Sequence, residues 1–357
     1  MTKRPNLFDY ATSELSQDAF LCWLIQWADH KYATVDPALD PALHRTATEF
    51  LKSIGRKFDN NPFKEATALQ VEIEQQYKYI DVLVRIKIGD QKYALVIEDK
   101  TDSTARKGQL EQYRETIKKE YPESNLLLVY LKTGEILPEA KREARISKYV
   151  VYSRNDLLRV LETGANETND SILSDFYQRL KSRDDLYQKY LTPLKDWKDS
   201  KLAWEGFYSE LHKNMEKIIV EEKEKIYWDF VNNRGGGESR FGIWHTVGLF
   251  SVHLLLVKKW DKTGRHFLAL KVGEVRKNRS KVRNKFHQSL MEHAKTSRWS
   301  GKLERPARWG NGAWMVIAES KEKDYWLPMD DDGKVNMDET VEKLNEAYKL
   351  LCEFECE

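Results

Sequence analysis

Tyr79-Ile80-Asp81-Val82-Leu83-Val84 and Leu95-Val96-Ile97-Glu98-Asp99-Lys100 are the two stretches on which the reading of this chain turns. Both are rich in aliphatic and β-branched residues; the first carries Asp81 mid-strand and the second carries its charges at its end. Successive side chains of a strand point to opposite sides, so Glu98 and Lys100 project together while Ile97 and Asp99 face the other way. Ile80, Val82, Val84 and Ile86 share one face, which leaves Asp81 on the other with Leu83 and Arg85. Gly89-Asp90 between the two runs favours a tight hairpin. With the strands side by side, Asp81 and Glu98 converge. Tyr93-Ala94-Leu95-Val96-Ile97 is apolar on both faces, as a central strand is, so its polar end belongs at a sheet edge or cleft.

Outward from that hairpin the period of the pattern changes. Residues 13–30 repeat apolar positions at helical spacing behind Thr12 or Ser13 as cap, and 43–58 read as a second helix ended by Gly55 and Asn60-Asn61-Pro62. Three strands follow at 68–75, 77–88 and 92–100, then a helix over 105–120 and strands at 125–131 and 149–152. This order makes residues 1–155 an α/β layered core. Residues 156–231 read as a helical connector, with helices at 172–191 and 203–231. Residues 232–357 read as an α+β C-terminal domain behind the Gly235-Gly236-Gly237 joint. There a meander spans 241–247, 251–260 and 266–272. A basic helix follows over 280–296, then short strands at 313–320 and 323–328 and a closing helix at 338–354.

Composition narrows the class. The chain has 357 residues, 41% hydrophobic and 32% charged, enough to bury a core in two domains or one large one. The longest apolar run is far below the roughly 18–20 residues of a membrane span, and the N-terminus lacks the apolar stretch of a secretory signal. The expectation is a cytoplasmic protein with no membrane segment. Three cysteines, Cys22, Cys352 and Cys356, assemble neither a disulfide framework nor a four-ligand zinc set. The eight histidines show no zinc-pair spacing. No phosphate-binding loop follows the triple glycine. The net charge of +2 conceals a basic excess between Lys271 and Arg308. Arg276, Lys277, Arg279, Lys281, Arg283 and Lys285 fall within it as candidate phosphate contacts, with Trp299 and Trp309 either stacking on bases or packing. The eleven tryptophans, mostly from Trp197 onward, read as core of the second domain.

Two converging carboxylates make a hard-oxygen site for Mg²⁺, which takes one or two protein carboxylates together with waters and phosphate oxygens. A neighbouring lysine orients the attacking water and stabilises the pentacovalent transition state. That chemistry is phosphodiester hydrolysis. Glu72 and Glu74 on the preceding strand read as a solvated face.

Asp81 followed by Glu98-Asp99-Lys100 resembles the signature of the PD-(D/E)XK nuclease superfamily, with Ile80 where the family often has proline. The resemblance implies a restriction-endonuclease-like αβββαβ core over about 130 residues. It implies that Asp81 and Glu98 bind Mg²⁺, with Mn²⁺ able to substitute, and that Lys100 is catalytic. Glu14, at the start of the first helix, corresponds to the helix acid that many members place near the metal, with Asp18 one turn on. Gln109-Leu110-Glu111-Gln112-Tyr113 resembles the Q-xxx-Y element of RecB-like nucleases, placing Gln109 and Tyr113 near the lysine and the DNA. The expected activity is a Mg²⁺-dependent deoxyribonuclease in bacterial DNA processing or phage defence. DNA is the expected partner, and a homodimer and a gating protein are both compatible with the family. Two alternatives stay open: a non-catalytic nucleic-acid-binding or assembly protein on the same fold, and an RNase with the same machinery.

Overall fold

The period-2 pattern of residues 70–100 becomes three consecutive antiparallel strands in the computed structural model, which describes residues 6–33, 40–66, 68–219, 225–232, 236–321 and 326–353. The chain divides into two units, Met1–Asp185 and Leu186–Glu357. The first opens with α1 (Glu14–Gln26) and α2 (Pro41–Gly55), the latter capped by the Asp40 carboxylate with Pro41 in its first turn. Next come β1 (Gln70–Tyr77), β2 (Ile80–Ile88), β3 (Gln91–Lys100), α3 (Gln109–Ile117) and β4 (Leu126–Lys132). The unit ends with α4 (Pro138–Ile146), β5 (Val150–Ser153), α5 (Arg154–Glu167) and α6 (Ser171–Gln188), which runs through the boundary.

The sheet runs β1-β2-β3-β4-β5, antiparallel as far as β3 and parallel from β3 through β5. Helices cover both of its faces. Val82, Val84, Leu95, Ile97 and Val129 pack with Phe20, Leu24, Phe50 and Leu161 of α1, α2 and α5. Leu83, Val96, Leu128 and Tyr130 pack with Leu110, Tyr113, Ile117 and Ala144 of α3 and α4. β3 and β4 are therefore apolar on both faces, as sandwiched strands must be. At the end of β3 buried polar side chains, Glu98, Asp99 and Lys100, enter this interior, and there the site forms.

The second unit contains α7 (Leu194–Trp197), α8 (Lys201–Ile218), β6 (Ile226–Val231), β7 (Glu238–Val247), β8 (Phe250–Lys259) and β9 (His266–Gly273). It closes with α9 (Arg279–Lys295), β10 (Leu303–Glu304), β11 (Met315–Ser320) and α10 (Met337–Glu353). Its antiparallel sheet runs β10-β11-β9-β8-β7-β6, giving an α+β unit. Trp204 of α8 lies 5.0 Å from Trp197 and 5.7 Å from Phe207, and Trp299 stacks on Trp326, all of them buried. These tryptophans are core.

Several elements differ from the sequence reading. The long helix expected over 203–231 ends at Ile218, and 226–231 is a strand paired with β7. Buried Ile226 and Trp228 alternate there with Tyr227 and Asp229, a period of two that the run of charges at 221–225 obscures. Tyr77 ends β1 rather than opening β2, and the reversal falls at Lys78-Tyr79. The stretch 156–231 contributes α5 to the first unit and α8 and β6 to the second. α4 had no counterpart in the reading. Of the strand expected at 323–328, residues 323–325 lie outside the described residues, as does Gly235 of the glycine joint.

Candidate active site

Antiparallel pairing of Val82 with Ile97 sets Asp81 across from Glu98, one step further along the ladder. The Lys100 ammonium sits 2.8 Å from Glu98 Oε1 and donates to Asp81 Oδ2 at 3.2 Å and to the Asp99 carbonyl at 2.8 Å. Glu14 Oε2 of α1 lies 3.9 Å away. Asp81 Oδ2 also accepts from the Asp99 backbone N–H at 3.1 Å, which locks the acid to the neighbouring strand. Thus one cation is shared by three carboxylates from three elements.

Glu98 is fully buried. Burial first, then the charge of Asp81, pushes its carboxyl up to about 8, although Lys100 opposes both. Burial alone would lower the Lys100 ammonium, yet Glu98, then Asp81 and Glu14, hold it above its ordinary value. Lys100 is accordingly a cation at neutral pH. Glu14 is pulled the other way: burial raises it, but hydrogen bonds from Ser103 Oγ at 2.6 Å and Thr101 N–H at 3.1 Å outweigh that and lower it. These bonds also pin the chain leaving β3 to the first turn of α1.

Gln109 holds Glu98 from the other side. Its Nε2 donates to Glu98 Oε1 at 2.7 Å and to Tyr113 Oη at 2.8 Å, while its Oε1 accepts from the Arg106 N–H at 2.9 Å. With one amide oxygen on a donor and the amide nitrogen on two acceptors, the orientation of the group is determined. The four-residue spacing on α3 puts Gln109 and Tyr113 on one helix face.

Asp18 does not enter the cleft. It is buried on α1 beside Asp99, whose Oδ1 accepts from Gln17 Nε2 at 2.6 Å. Gln17 in turn accepts from Thr133 Oγ1 at 3.0 Å. Burial, then the Asp81 charge, raises Asp18 to about 6, and burial with the Asp18 charge raises Asp99 well above its ordinary value. Two adjacent acids in a dry site cannot both ionise, so one keeps its proton. Gln17 and Thr133 were invisible to the sequence reading, because nothing local marks either of them. Glu74 is absorbed by Arg85 at 2.5 Å on the outer sheet face.

The cleft above Lys100 holds about 860 Å³, with Glu14, Asp81, Gln109 and Tyr113 on its walls and Lys78, Tyr79 and Arg106 at its margin. None of these last three was a candidate site residue in the sequence reading. In the other unit, Arg276, Lys277, Arg279, Lys281 and Lys285 are exposed on or just before α9. Arg283 is instead buried, donating to the Trp309 and Gly310 carbonyls with its guanidinium 4.4 Å from the Trp309 ring. Its guanidinium holds that loop and also donates to Asn284 Oδ1.

Among the described residues, no three His, Cys, Asp or Glu side chains are placed to hold a metal ion by themselves. Mg²⁺ does not need three, since waters and phosphate oxygens complete its shell. Asp81 and Glu98 offer only hard oxygen donors, and Glu98 Oε2 is buried with no hydrogen-bond partner. An orphaned carboxylate oxygen beside a second carboxylate fits a hard divalent cation.

No curated protein and no solved structure matches the chain. A family model does: that of the PD-(D/E)XK nuclease superfamily matches residues 5–190, a span that takes in the whole five-stranded sheet with its αβββαβ order, Asp81 at the start of β2, and Glu98 and Lys100 at the end of β3. That span is just over half of the 357 residues, and the chain belongs to the PD-(D/E)XK nuclease superfamily.

Proposed function

We propose that this protein is a nuclease that hydrolyses DNA phosphodiester bonds with Mg²⁺, for which Mn²⁺ substitutes. The observation that carries the reading is the meeting of Asp81, Glu98 and Lys100 within 3.2 Å at the floor of an open cleft. A charged lysine between two carboxyl groups has no packing purpose there, since taking charged groups out of water costs more than apolar side chains of the same size would. Asp81 and Glu98 are the residues that would hold the cation. When bound, it lowers the pKa of a water and neutralises charge on the phosphodiester.

Each remaining group has a task. Lys100, kept protonated by its neighbours, donates to the attacking water and to the oxygen on which charge develops in the transition state. Gln109 fixes the Glu98 carboxylate, and Tyr113 fixes Gln109. Glu14, held by Thr101 and Ser103, keeps the loop after β3 and the first turn of α1 in place beside the lysine. The exposed basic residues of 276–285 supply sequence-independent phosphate contacts in the second unit. DNA processing or defence against foreign DNA is the biological setting, on the analogy of the family.

The test is incubation of wild type and Lys100→Ala with supercoiled plasmid, linear duplex, single-stranded DNA and RNA, each with Mg²⁺, Mn²⁺ or EDTA. Metal-dependent cutting of DNA by wild type alone is the expected result. Cutting confined to RNA would move the substrate class. Salt-sensitive DNA retention without any cutting would favour a binding module on a nuclease fold.

A further inference from the structure

The reversal between β1 and β2 is a two-residue hairpin closed by the pairing of Tyr77 with Ile80. Both of its central residues lie in the left-handed region, Lys78 at φ 49° and Tyr79 at φ 73°. This is the backbone of a type I′ turn, for which Asn-Gly is the favoured pair because a side chain at φ > 0 crowds its own carbonyl. A lysine and a tyrosine are poor occupants. Strain of this sort persists where the residue is needed for something other than the fold.

The fold gains nothing visible from the Tyr79 ring. It is 81% exposed, and among the described residues it takes part in no hydrogen bond and no ring contact. Lys78, by contrast, is tied down, with its ammonium 3.0 Å from Glu120 and 4.7 Å from the Tyr77 ring centroid. The turn therefore anchors Lys78 and presents Tyr79. Tyr79 lines the cleft that contains Asp81 and Lys100, in the turn just before β2 and two residues ahead of Asp81. The exposed side chain of Arg106 lines the same cleft and forms no ion pair among the described residues. An unpartnered ring and an unpartnered guanidinium beside a phosphodiester-cleaving centre match the two halves of a nucleotide, a base to stack on and a phosphate to neutralise.

We propose that Tyr79 stacks on an unpaired base next to the scissile phosphate, so that the cleft takes single-stranded or locally opened DNA in preference to closed duplex. A base inside an intact duplex has both faces covered by its neighbours and offers none to the ring. The π-face of any base serves equally, so the contact selects strand state rather than sequence. The inference rests on the nuclease reading above.

The experiment uses the full chain and an oligodeoxynucleotide carrying 2-aminopurine, whose fluorescence falls on stacking. Binding is measured in EDTA, and cleavage of the same single strand and of its duplex is measured separately with Mg²⁺. Wild type and Tyr79→Phe should quench the probe. Tyr79→Ala and Tyr79→Gly should bind the single strand about 5- to 150-fold more weakly, raise KM for it with kcat little changed, and bind duplex as wild type does. Tyr79→Gly should at the same time raise Tm by roughly 2–4 °C, because glycine relieves the turn. A merely structural tyrosine would show the opposite, a lower Tm together with the loss of binding, and would overturn the proposal. Tyr79→Ala that binds and cuts single strands as wild type does also overturns it, while leaving the nuclease standing. Quenching that requires Tyr79 in a protein that cuts nothing would sustain the stacking and remove the nuclease reading. Neither quenching nor cutting by wild type removes both.

Discussion

Glu98 has no solvent exposure and one carboxylate oxygen without a hydrogen bond, yet it sits 2.8 Å from an ammonium that it shares with Asp81. The balance at this residue depends on every neighbour. Replacing Lys100 by Ala leaves two carboxylates facing one another with no cation, and cleavage should fall at least about 100-fold while the circular-dichroism spectrum is kept. Asp81→Ala should be as damaging to cutting. It should also abolish the thermal stabilisation that Mg²⁺ confers, which at a tenfold excess over Kd amounts to about 1.4 kcal/mol in wild type. A shift that survives in Asp81→Ala would place the cation elsewhere. Gln109→Ala removes a donor to Glu98 without touching charge, so it should slow cleavage by about 10-fold at unchanged Tm, checked by single-turnover rates.

At the scale of elements, α3 succeeds because Gln109 and Tyr113 recur at a helical spacing behind Gly108, whose φ of 78° no other residue adopts cheaply. The helix–strand order and the Gly89-Asp90 hairpin were legible, since alternation and turn chemistry are local properties. The strand at 226–231 and the turn at Lys78-Tyr79 were not. In both places charged or bulky residues mask the local signal, and pairing with a neighbouring strand outweighs propensity. The junction of β5 and α5 shows how an element is held from afar. Arg154 donates to Glu135 at 2.6 Å, to Asp184 at 2.9 Å and to the Thr133 carbonyl at 3.0 Å, beside the Thr133 hydroxyl that bonds Gln17. Arg154→Ala strands two largely buried carboxylates and should cost about 3 kcal/mol, measured by urea unfolding of the whole chain. A cost below 1 kcal/mol would show that water replaces the guanidinium.

At the scale of the molecule, two buried histidines make the second unit sensitive to acid. In the second unit His253 is held by Tyr227 and Ser251, and burial, then the charge of Lys271, lowers it to about 4; burial, then the charge of Lys258, lowers His266 to about 3. Both lie below the ordinary value near 6.5, so the unfolded chain binds protons first as pH falls. Their contribution is complete above pH 6.5, drains away as pH falls below that value, and is fully lost once pH has passed through their folded values. Each histidine should therefore lower stability by about 2 kcal/mol between pH 7 and pH 5. His266→Phe, which keeps a ring against Trp204, should flatten that slope in urea titrations followed by tryptophan fluorescence. A slope left unchanged would assign the acid sensitivity to other groups. The sequence by itself determined that Asp81, Glu98 and Lys100 come together at neighbouring strands, and the helix, three strands, helix and strand around them. Alternation puts Glu98 and Lys100 on one side whatever the rest of the chain does. Only the tertiary structure decided that Gln17, 82 positions away, holds Asp99, that burial pushes the Glu98 carboxyl up, and that Asp18 is buried beside Asp99. Those are consequences of burial and of contacts between distant segments, and no local period encodes them.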